Sequence, residues 1–249
     1  MKILWSGGCD SSLVLYDIVQ ATLRPIVKNG VEQYRMCGEI VDYDPNERID
    51  VISINHDQVP AKEESKAARK KLLEVLSKRF VQKRIFAGEV DIVNGGGYPL
   101  SVCHNNGIIQ PTLWLLQAAQ YLEASEDLYV GYIRTDDIWH YKQEFIAAFE
   151  LLQKLANRTG KLIFPLEWYT KQDVIKLLKQ AKIYQYVWYC ENPHYGKRCR
   201  GINKCHPCDE HDVALDRIAK AENALLNKAH KRTRRDKRKG IDTQTLGSS

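Results

Sequence analysis

The chain has 249 residues, of which 44% are hydrophobic and 27% are charged, and these values favour a folded globular protein over a disordered or fibrous one. No stretch approaches the roughly 18 apolar residues of a membrane span, and the opening residues lack the parts of a secretory leader, so we expect a cytoplasmic protein without a membrane partner. The net charge of +6 lies in residues 226–249, which hold eight basic and two acidic residues, and the rest of the chain is neutral.

The first third of the chain alternates between apolar runs and helical patterns. Residues 2–5 form a short apolar run that ends in a glycine pair, and apolar residues at helical spacing follow. This order predicts a strand, a tight turn and a helix. The dipeptide Asn29-Gly30 indicates a β-hairpin. Three further elements are predicted in order: a buried strand at 49–54, a long helix at 61–80 and a strand at 83–87.

The alternation continues after residues 91–107, which are too rich in glycine for regular structure. Four elements are predicted there: a helix at 111–124, a strand at 128–133, a helix at 141–156 and a helix at 171–181 that Thr170 can cap. Residues 161–164 lead into Pro165. Strands that alternate with helices predict an α/β fold with a doubly wound, mostly parallel sheet. The basic segment 226–249 cannot bury apolar surface, so we expect it to be disordered. It is either a solvated tail or a weak contact for nucleic acid.

The most informative motif is Ser6-Gly7-Gly8-Cys9-Asp10-Ser11-Ser12, which lies between the first predicted strand and the first predicted helix. The two glycines let the backbone approach a ligand, and the helix presents N–H groups and the positive end of its dipole to an anion. The serines add hydroxyl donors, and Asp10 suits a helix cap or a magnesium ligand. The motif therefore predicts a phosphate-binding loop, although it lacks the G-K-[ST] ending of a P-loop.

Four of the seven cysteines lie close together near the C-terminal end, with the spacing C-x8-C-x5-C-x2-C: Cys190, Cys199, Cys205 and Cys208. We expect reduced thiols, since no secretory leader is apparent. Four thiolates complete a tetrahedral shell around Zn²⁺, and a filled shell indicates a structural ion rather than a Lewis acid. An iron–sulfur cluster stays open as an alternative, because sulfur ligands alone do not select the metal.

The phosphate loop resembles that of the ATP pyrophosphatases, the PP-loop superfamily that cleaves ATP between its α and β phosphates. Three later segments resemble the approach to the zinc site of 7-cyano-7-deazaguanine synthases: Phe-Pro-Leu at 164–166, YTKQDVI at 169–175 and VWYC at 187–190. Residues 131–145 resemble the G-x-N-x-x-D…R-x-E-F region of the same family. The resemblance covers residues 1–20 and about 125–215, which makes residues 22–48 an apparent insertion.

This resemblance implies an adenine-nucleotide α-hydrolase-like domain at 1–160, a small helical zinc-binding unit at 161–225 and the basic tail at 226–249. The implied reaction uses ATP and Mg²⁺ to adenylate the carboxylate of 7-carboxy-7-deazaguanine, with release of pyrophosphate. Ammonia then displaces AMP to give an amide, and a second ATP-driven step gives the nitrile, a queuosine precursor. A homodimer is expected.

Site residues are carried over from the family position by position. The ATP phosphates are assigned to Ser6, Gly7, Gly8, Asp10, Ser11 and Ser12, and zinc to Cys190, Cys199, Cys205 and Cys208. Asp10, Asp136 and Lys171 are assigned to the catalytic site, facing substrate or ATP. The alternative for the last two is a solvated Asp-Asp pair and a surface lysine. We expect the adenine near residues 53–56, where the second strand ends.

The chain departs from the family pattern in three places, and the last two leave the acceptor of the adenylate open. The second and third cysteines are separated by five residues rather than two, residues 110–114 replace a P-x-R-N segment, and Gln143 replaces an arginine. An amine other than ammonia, including one on a partner protein in a modification or antiviral defence operon, is therefore a second hypothesis. Two other classes are a tRNA-thiolating PP-loop enzyme, which needs a reactive cysteine such as Cys103, and a non-catalytic zinc module that binds nucleic acid.

Overall fold

A computed structural model of the protein describes residues 1–21, 25–28, 31–36, 39–41, 48–56, 61–81, 85–92, 109–201 and 204–242. Cys103 and most of the glycine-rich segment lie outside these residues. The described strands are β1 (Lys2–Leu4), β2 (Pro25–Lys28), β3 (Val31–Met36), β4 (Glu39–Val41), β5 (Ile49–His56), β6 (Ile85–Ile92), β7 (Leu128–Val130) and β8 (Leu162–Ile163). The α-helices are α1 (Cys9–Ala21), α2 (Lys62–Arg79), α3 (Ile109–Gln120), α4 (Lys142–Leu155), α5 (Lys171–Gln180) and α6 (His206–Asp242), with short 3-10 helices at Asp137–Tyr141 and Tyr184–Tyr186.

Five strands form a parallel sheet in the order β6-β5-β1-β7-β8. Ile3 of the central strand is paired with Val51 of β5 on one side and with Tyr129 of β7 on the other. Adjacent residues of β1 face opposite sides of the sheet, because side chains alternate along a strand. Ile3 packs with apolar residues of α1, α2 and α5, whereas Leu4 packs with those of α3 and α4. The sheet is therefore covered by helices on both faces, and the predicted doubly wound α/β fold is confirmed.

The apparent insertion forms a separate three-stranded antiparallel sheet, β2-β3-β4, between α1 and β5. β2 pairs with β3 up to Lys28 and Val31, which confirms the predicted hairpin, while Asn29 and Gly30 lie outside the described residues. β6 extends to Ile92, so the first two residues of the segment 91–107 belong to a strand.

One expectation about the C-terminal segment is wrong. α6 continues to Asp242, so residues 226–242 are helical rather than disordered. The reason lies in their composition, since lysine, arginine and alanine are good helix formers and this stretch contains no proline. The helix also continues from a packed first part, in which Ala214 and Ile218 contact Ile175 of α5, so no new nucleation step is needed.

Among the described residues, none of the helices combines the length and the apolar character that crossing a lipid bilayer requires.

Candidate functional site

The predicted phosphate-binding loop, residues 6–12, lies at the point where the strand order of the parallel sheet reverses. β1 is the central strand, and the chain that leaves it enters the loop and then α1. In an open α/β sheet, the crevice beyond the carboxyl ends of the strands at this reversal is where ligands bind. A Cβ added to Gly131, directly after β7, would lie 2.5 Å from the backbone N of Ser11. Glycine at position 131 thus lets the start of α1 approach the end of β7.

Short contacts fix the conformation of the loop. Gly7 has a φ of +89°, which a residue with a side chain rarely adopts. The hydroxyl groups of Ser6 and Ser11 lie 2.9 Å apart, and the backbone N–H of Gly8 donates to Ser6 Oγ at 3.2 Å. Ser12 is fully buried, and its Oγ accepts a hydrogen bond from Trp5 Nε1 at 3.0 Å. The predicted phosphate-binding residues therefore form one ordered turn at the N-terminus of α1.

Arg69 stabilises this turn, although the sequence motifs did not identify this residue. Its guanidinium donates to the carbonyl O of Ser6 at 3.1 Å and to Asn55 Oδ1 at 2.5 Å, and it pairs with Glu89 at 3.1 Å. The residue is only 3% exposed. A signal was present in the sequence, because Arg69 falls three residues before Leu72 on the stripe of α2 that faces the core.

The three residues assigned to catalysis come together beside the loop. Lys171 Nζ, at the start of α5, lies 2.6 Å from Asp10 Oδ2 and 3.4 Å from Glu210 Oε2 of α6. Asp136 Oδ2 accepts a hydrogen bond from the backbone N–H of Ile133 at 2.8 Å, which holds this carboxyl after β7. Sequence reasoning missed Glu210, because its position two residues after Cys208 carries no recognised pattern.

Electrostatics within this cluster favour a charged lysine and a weakly acidic aspartate. Burial raises the pKa of Asp136, the negative charge of Asp10 adds to this effect, and the pKa reaches about 7. Burial acts to lower the pKa of Lys171, but the carboxylates of Asp10, Asp136 and Glu210 outweigh it and raise the pKa. The cluster thus contains a permanent ammonium and a carboxyl that can exchange a proton near neutral pH.

Asp10 also provides a test of whether the site suits a cation. Its Oδ2 is bound to Lys171, whereas its Oδ1 is buried and has no hydrogen-bond partner among the described residues. A buried carboxylate oxygen without a partner is costly unless a ligand satisfies it. Carboxylate oxygens are the ligands that Mg²⁺ prefers, so this atom fits a magnesium ion that accompanies ATP.

The four predicted metal ligands also converge. Their sulfur atoms all lie within 4.8 Å of one another, and Cys190 Sγ is 3.6 Å from Cys199 Sγ. The backbone N–H groups of Cys199 and Cys205 donate to sulfur atoms at 3.3 and 3.2 Å, which stabilises thiolates. The chain therefore presents a compact all-sulfur site that suits a metal ion.

The segment that leads into the cysteines is attached to the phosphate loop. The backbone N–H of Trp188 donates to the carbonyl O of Gly7 at 3.0 Å, and its indole N–H donates to the carbonyl O of Cys190 at 2.8 Å. Nearby, buried His211 stacks on Tyr189 with ring centroids 3.7 Å apart, and burial lowers the pKa of His211 to about 4. A neutral, packed imidazole indicates a structural role for His211.

A cavity of about 490 Å³ opens between β5, β6 and α2, beside the loop. Its lining includes Trp5, Ser53, Lys66 and Lys70. The hydroxyl of Ser53 is buried and donates to the carbonyl O of Trp5 at 2.8 Å, so it is already used within the protein. The region in which the adenine is expected therefore contains a cavity of ligand size.

Comparison with known proteins relates the C-terminal half to one family. Residues 110–219 match the family described as queuosine biosynthesis protein QueC. No curated protein matches the chain. Two solved structures resemble it: the U34-tRNA thiolase NcsA from Methanococcus maripaludis with its [4Fe-4S] cluster, and a predicted subunit of a tRNA methyltransferase from Methanocaldococcus jannaschii. The first is 17% identical, covers 91% of this chain and 72% of that chain, and has a TM-score of 0.47. The second is 14% identical, covers 87% of this chain and 86% of that chain, and has a TM-score of 0.38.

The family match includes Asp136, Lys171, Glu210 and all four clustered cysteines. Together with the loop that precedes it in the chain, this match supports an ATP-dependent enzyme of the PP-loop type. The resemblance indicated by the sequence motifs is confirmed over residues 110–219, less than half of the chain, and this part is similar to the QueC family.

Proposed function

We propose that the protein is a C–N ligase that adenylates the carboxylate of 7-carboxy-7-deazaguanine, or of a close deazapurine acid, and releases AMP and pyrophosphate. The observation that carries this proposal is the meeting of the loop at residues 6–12 with Asp10, Asp136 and Lys171 at the reversal of the sheet. An anion site and an acid–base group thus share one crevice. We assign the ATP-binding domain to residues 1–160 and the metal-binding unit to 161–225.

In the first step, a carboxylate oxygen of the substrate attacks the α-phosphorus, and the bond to the pyrophosphate oxygen breaks. The loop N–H groups and the hydroxyls of Ser6 and Ser11 hold the β and γ phosphates. The ammonium of Lys171 neutralises charge on the leaving pyrophosphate. Magnesium, when bound at Asp10 Oδ1, supplies further positive charge there.

In the second step, ammonia attacks the acyl carbon, the bond to AMP breaks, and one proton must leave the nitrogen. Asp136 is the candidate base, since burial and the charge of Asp10 raise its pKa to about 7. The product is a primary amide. A second activation of the amide oxygen by ATP, followed by loss of a proton and AMP, gives the nitrile.

For the metal, we propose zinc in a structural role. Four thiolates around one tetrahedral Zn²⁺ lie about 3.8 Å apart when each Zn–S bond is about 2.3 Å. The sulfur separations of 3.5, 3.6 and 4.0 Å between three of the cysteines agree with this value. A cluster of four irons and bridging sulfides needs more space between its thiolates. Elemental analysis of purified protein tests the proposal: one zinc per chain supports it, and iron with labile sulfide contradicts it.

Incubation with 7-carboxy-7-deazaguanine, MgATP and ammonium chloride tests the reaction, with pyrophosphate release and product mass as readouts. We expect acid-dependent pyrophosphate release and a product with the mass of the amide or nitrile. Lys171→Met should lower the rate at least 100-fold through loss of transition-state charge stabilisation. Lys176→Met, on the exposed face of the same helix, is the matched control and should leave the rate unchanged. Pyrophosphate release that does not depend on the acid would contradict the proposal.

The acceptor is a separate question, because Gln143 and residues 110–114 depart from the family pattern. AMP release without amide or nitrile, in the presence of ammonia, would favour a different amine such as one on a partner protein. Thiolation is less favoured by the described residues, since burial raises the pKa of Cys9 to about 12 and leaves it a poor nucleophile. Loss of all turnover in Cys103→Ser would reverse that preference.

A further inference from the structure

The first turn of α6 connects the four-cysteine cluster with the ATP site. Cys205 immediately precedes the helix, Cys208 lies in its first turn, and Glu210 follows two residues later. Successive helical residues are rotated by about 100°, so Cys208 and Glu210 lie on nearly opposite sides of the helix. Cys208 faces the other sulfur atoms, and Glu210 faces the loop side.

Each carboxylate oxygen of Glu210 contacts a different element of the ATP site. Oε2 lies 3.4 Å from Lys171 Nζ at the start of α5, and Oε1 accepts a hydrogen bond from Thr135 Oγ1 at 3.2 Å. Thr135 immediately precedes Asp136, and Lys171 contacts Asp10. The Glu210 side chain is 23% exposed, so solvent screens these contacts only in part.

We propose that Glu210 is a positioning residue, through which the four-cysteine cluster holds Lys171 and the Thr135–Asp136 segment in place for ATP. A metal bound to Cys205 and Cys208 fixes the first turn of α6 and, with it, the backbone of Glu210. The carboxylate then sets where the ammonium of Lys171 lies relative to the loop. This inference deepens the proposed function and rests on it, because it assumes that ATP binds at residues 6–12.

Linkage supplies a test that does not depend on turnover. If the metal site and the ATP site are coupled, ATP must strengthen metal binding by the factor by which the metal strengthens ATP binding. The readout is the dissociation constant for zinc, measured by equilibrium competition with a chromophoric chelator, with and without saturating MgATP. For the wild type, we expect MgATP to tighten zinc binding by about fivefold or more.

Glu210→Gln should keep one zinc per chain but lose most of this tightening, because the neutral amide lacks the negative charge that attracts the ammonium of Lys171. The backbone bond between Trp188 and Gly7 is present in both proteins, so a small residual effect is expected. The matched control is Asp209→Asn, which removes one negative charge from the adjacent position of the same turn. Asp209 is 66% exposed and lies 3.9 Å from Lys204, away from Lys171. The Asp209→Asn variant should retain the full effect of MgATP on zinc binding.

A kinetic readout complements the metal measurement. Glu210→Gln should lower kcat for pyrophosphate release about tenfold through loss of a hydrogen-bonded charge contact, with a smaller change in KM for ATP. Unchanged tightening of zinc binding by MgATP in Glu210→Gln would overturn the role of Glu210, and an absence of tightening in the wild type would overturn the coupling. If calorimetry shows that the wild type does not bind MgATP, the proposed function fails as well, which distinguishes the two failures.

Discussion

At the scale of single residues, the loop depends on a glycine that two separate constraints require. Gly7 has a positive φ, and a Cβ at this position would lie 2.9 Å from Cγ of Arg69. The same arginine holds the carbonyl O of Ser6. A side chain at position 7 would therefore strain the backbone and displace the residue that supports the loop.

We predict that Gly7→Ala destabilises the protein by more than the about 1–2 kcal/mol expected for backbone strain at a left-handed position. It should also weaken MgATP binding measured by calorimetry. Gly196→Ala is the matched control, since Gly196 has a φ of +69° but nothing lies within 4 Å of its added Cβ. Urea unfolding of both variants separates two costs. Both variants carry the backbone strain, whereas only Gly7→Ala also carries the steric clash with Arg69. Equal losses of stability would show that Arg69 moves aside without cost.

The buried carboxyl of Asp136 should make the free energy of unfolding depend on pH. Its pKa is about 7 in the folded protein and near 3.8 when unfolded. Between these values the folded state keeps a proton that the unfolded state has lost, so the free energy of unfolding falls as pH rises from about 4 to 7. Asp136→Asn cannot titrate, so its stability should fall less than that of the wild type over this range.

Urea unfolding at several pH values measures this difference. Asp216→Asn, which changes an exposed carboxylate of α6, should follow the wild-type slope. Parallel curves for the wild type and Asp136→Asn would show that the carboxyl of Asp136 is not held in its protonated form by the fold.

At the scale of elements, the start of α5 determines where Lys171 lies. Thr170 accepts a hydrogen bond from the backbone N–H of Asp173 at 3.3 Å, and Asp173 in turn accepts one from the backbone N–H of Thr170 at 3.0 Å. This capping box satisfies two N–H groups that a helix start leaves without partners. Lys171 is the first residue of the helix, so the cap and the lysine are positioned together.

We predict that Thr170→Ala lowers the free energy of unfolding by about 1 kcal/mol, the usual value of a threonine cap. It should also reduce pyrophosphate release by more than this loss of stability explains, because the first turn that carries Lys171 frays. Thr159→Ala is a suitable control, as the Thr159 hydroxyl is exposed and donates only a long 3.4 Å bond. If the two variants have the same activity, the cap does not position the lysine.

The elements of the fold could be predicted because their signals are local. Apolar runs, the hairpin of β2 and β3 and the Thr170 cap each depend on a few residues, and the structure confirms them. The convergence of the four cysteines was also predictable, since their spacing is short. Glu210 and Arg69 were not, because their partners lie far away in the chain and depend on how α2 and α6 pack. The C-terminal helix differs from the sequence prediction because the helix propensity of its lysine, arginine and alanine residues outweighs the repulsion between its charges.

At the scale of the whole molecule, α6 is longer than its packing requires. It spans 37 residues, or about 55 Å, and residues 219–227 are all exposed. The net charge of the protein lies beyond this point, within residues 228–249. After Leu226 the helical part contains few apolar residues, which does not suit insertion into a lipid surface or an apolar groove. Positive charge on an extended helix instead complements the phosphates of nucleic acid, and we propose a weak contact of this kind.

Replacement of the eight lysines and arginines of residues 228–239 by glutamine tests this contact while it preserves helix propensity. We predict that binding of a 30-nucleotide single-stranded RNA weakens and loses its dependence on salt concentration. Acid-dependent pyrophosphate release should stay unchanged. Loss of both activities would instead favour a protein whose main role is to bind nucleic acid. Equal RNA affinity of both proteins would leave the helix without this role.

The pairing of Lys171 with Asp10 joins residues 161 positions apart, and Glu210 joins them from still later in the chain. The ammonium beside the glycine turn therefore comes from a distant part of the sequence, and the carboxylate that contacts this ammonium comes from a more distant part still. The loop at residues 6–12 by itself lacks this counter-charge. The proposed ATP site thus depends on long-range folding that brings α1, α5 and α6 together.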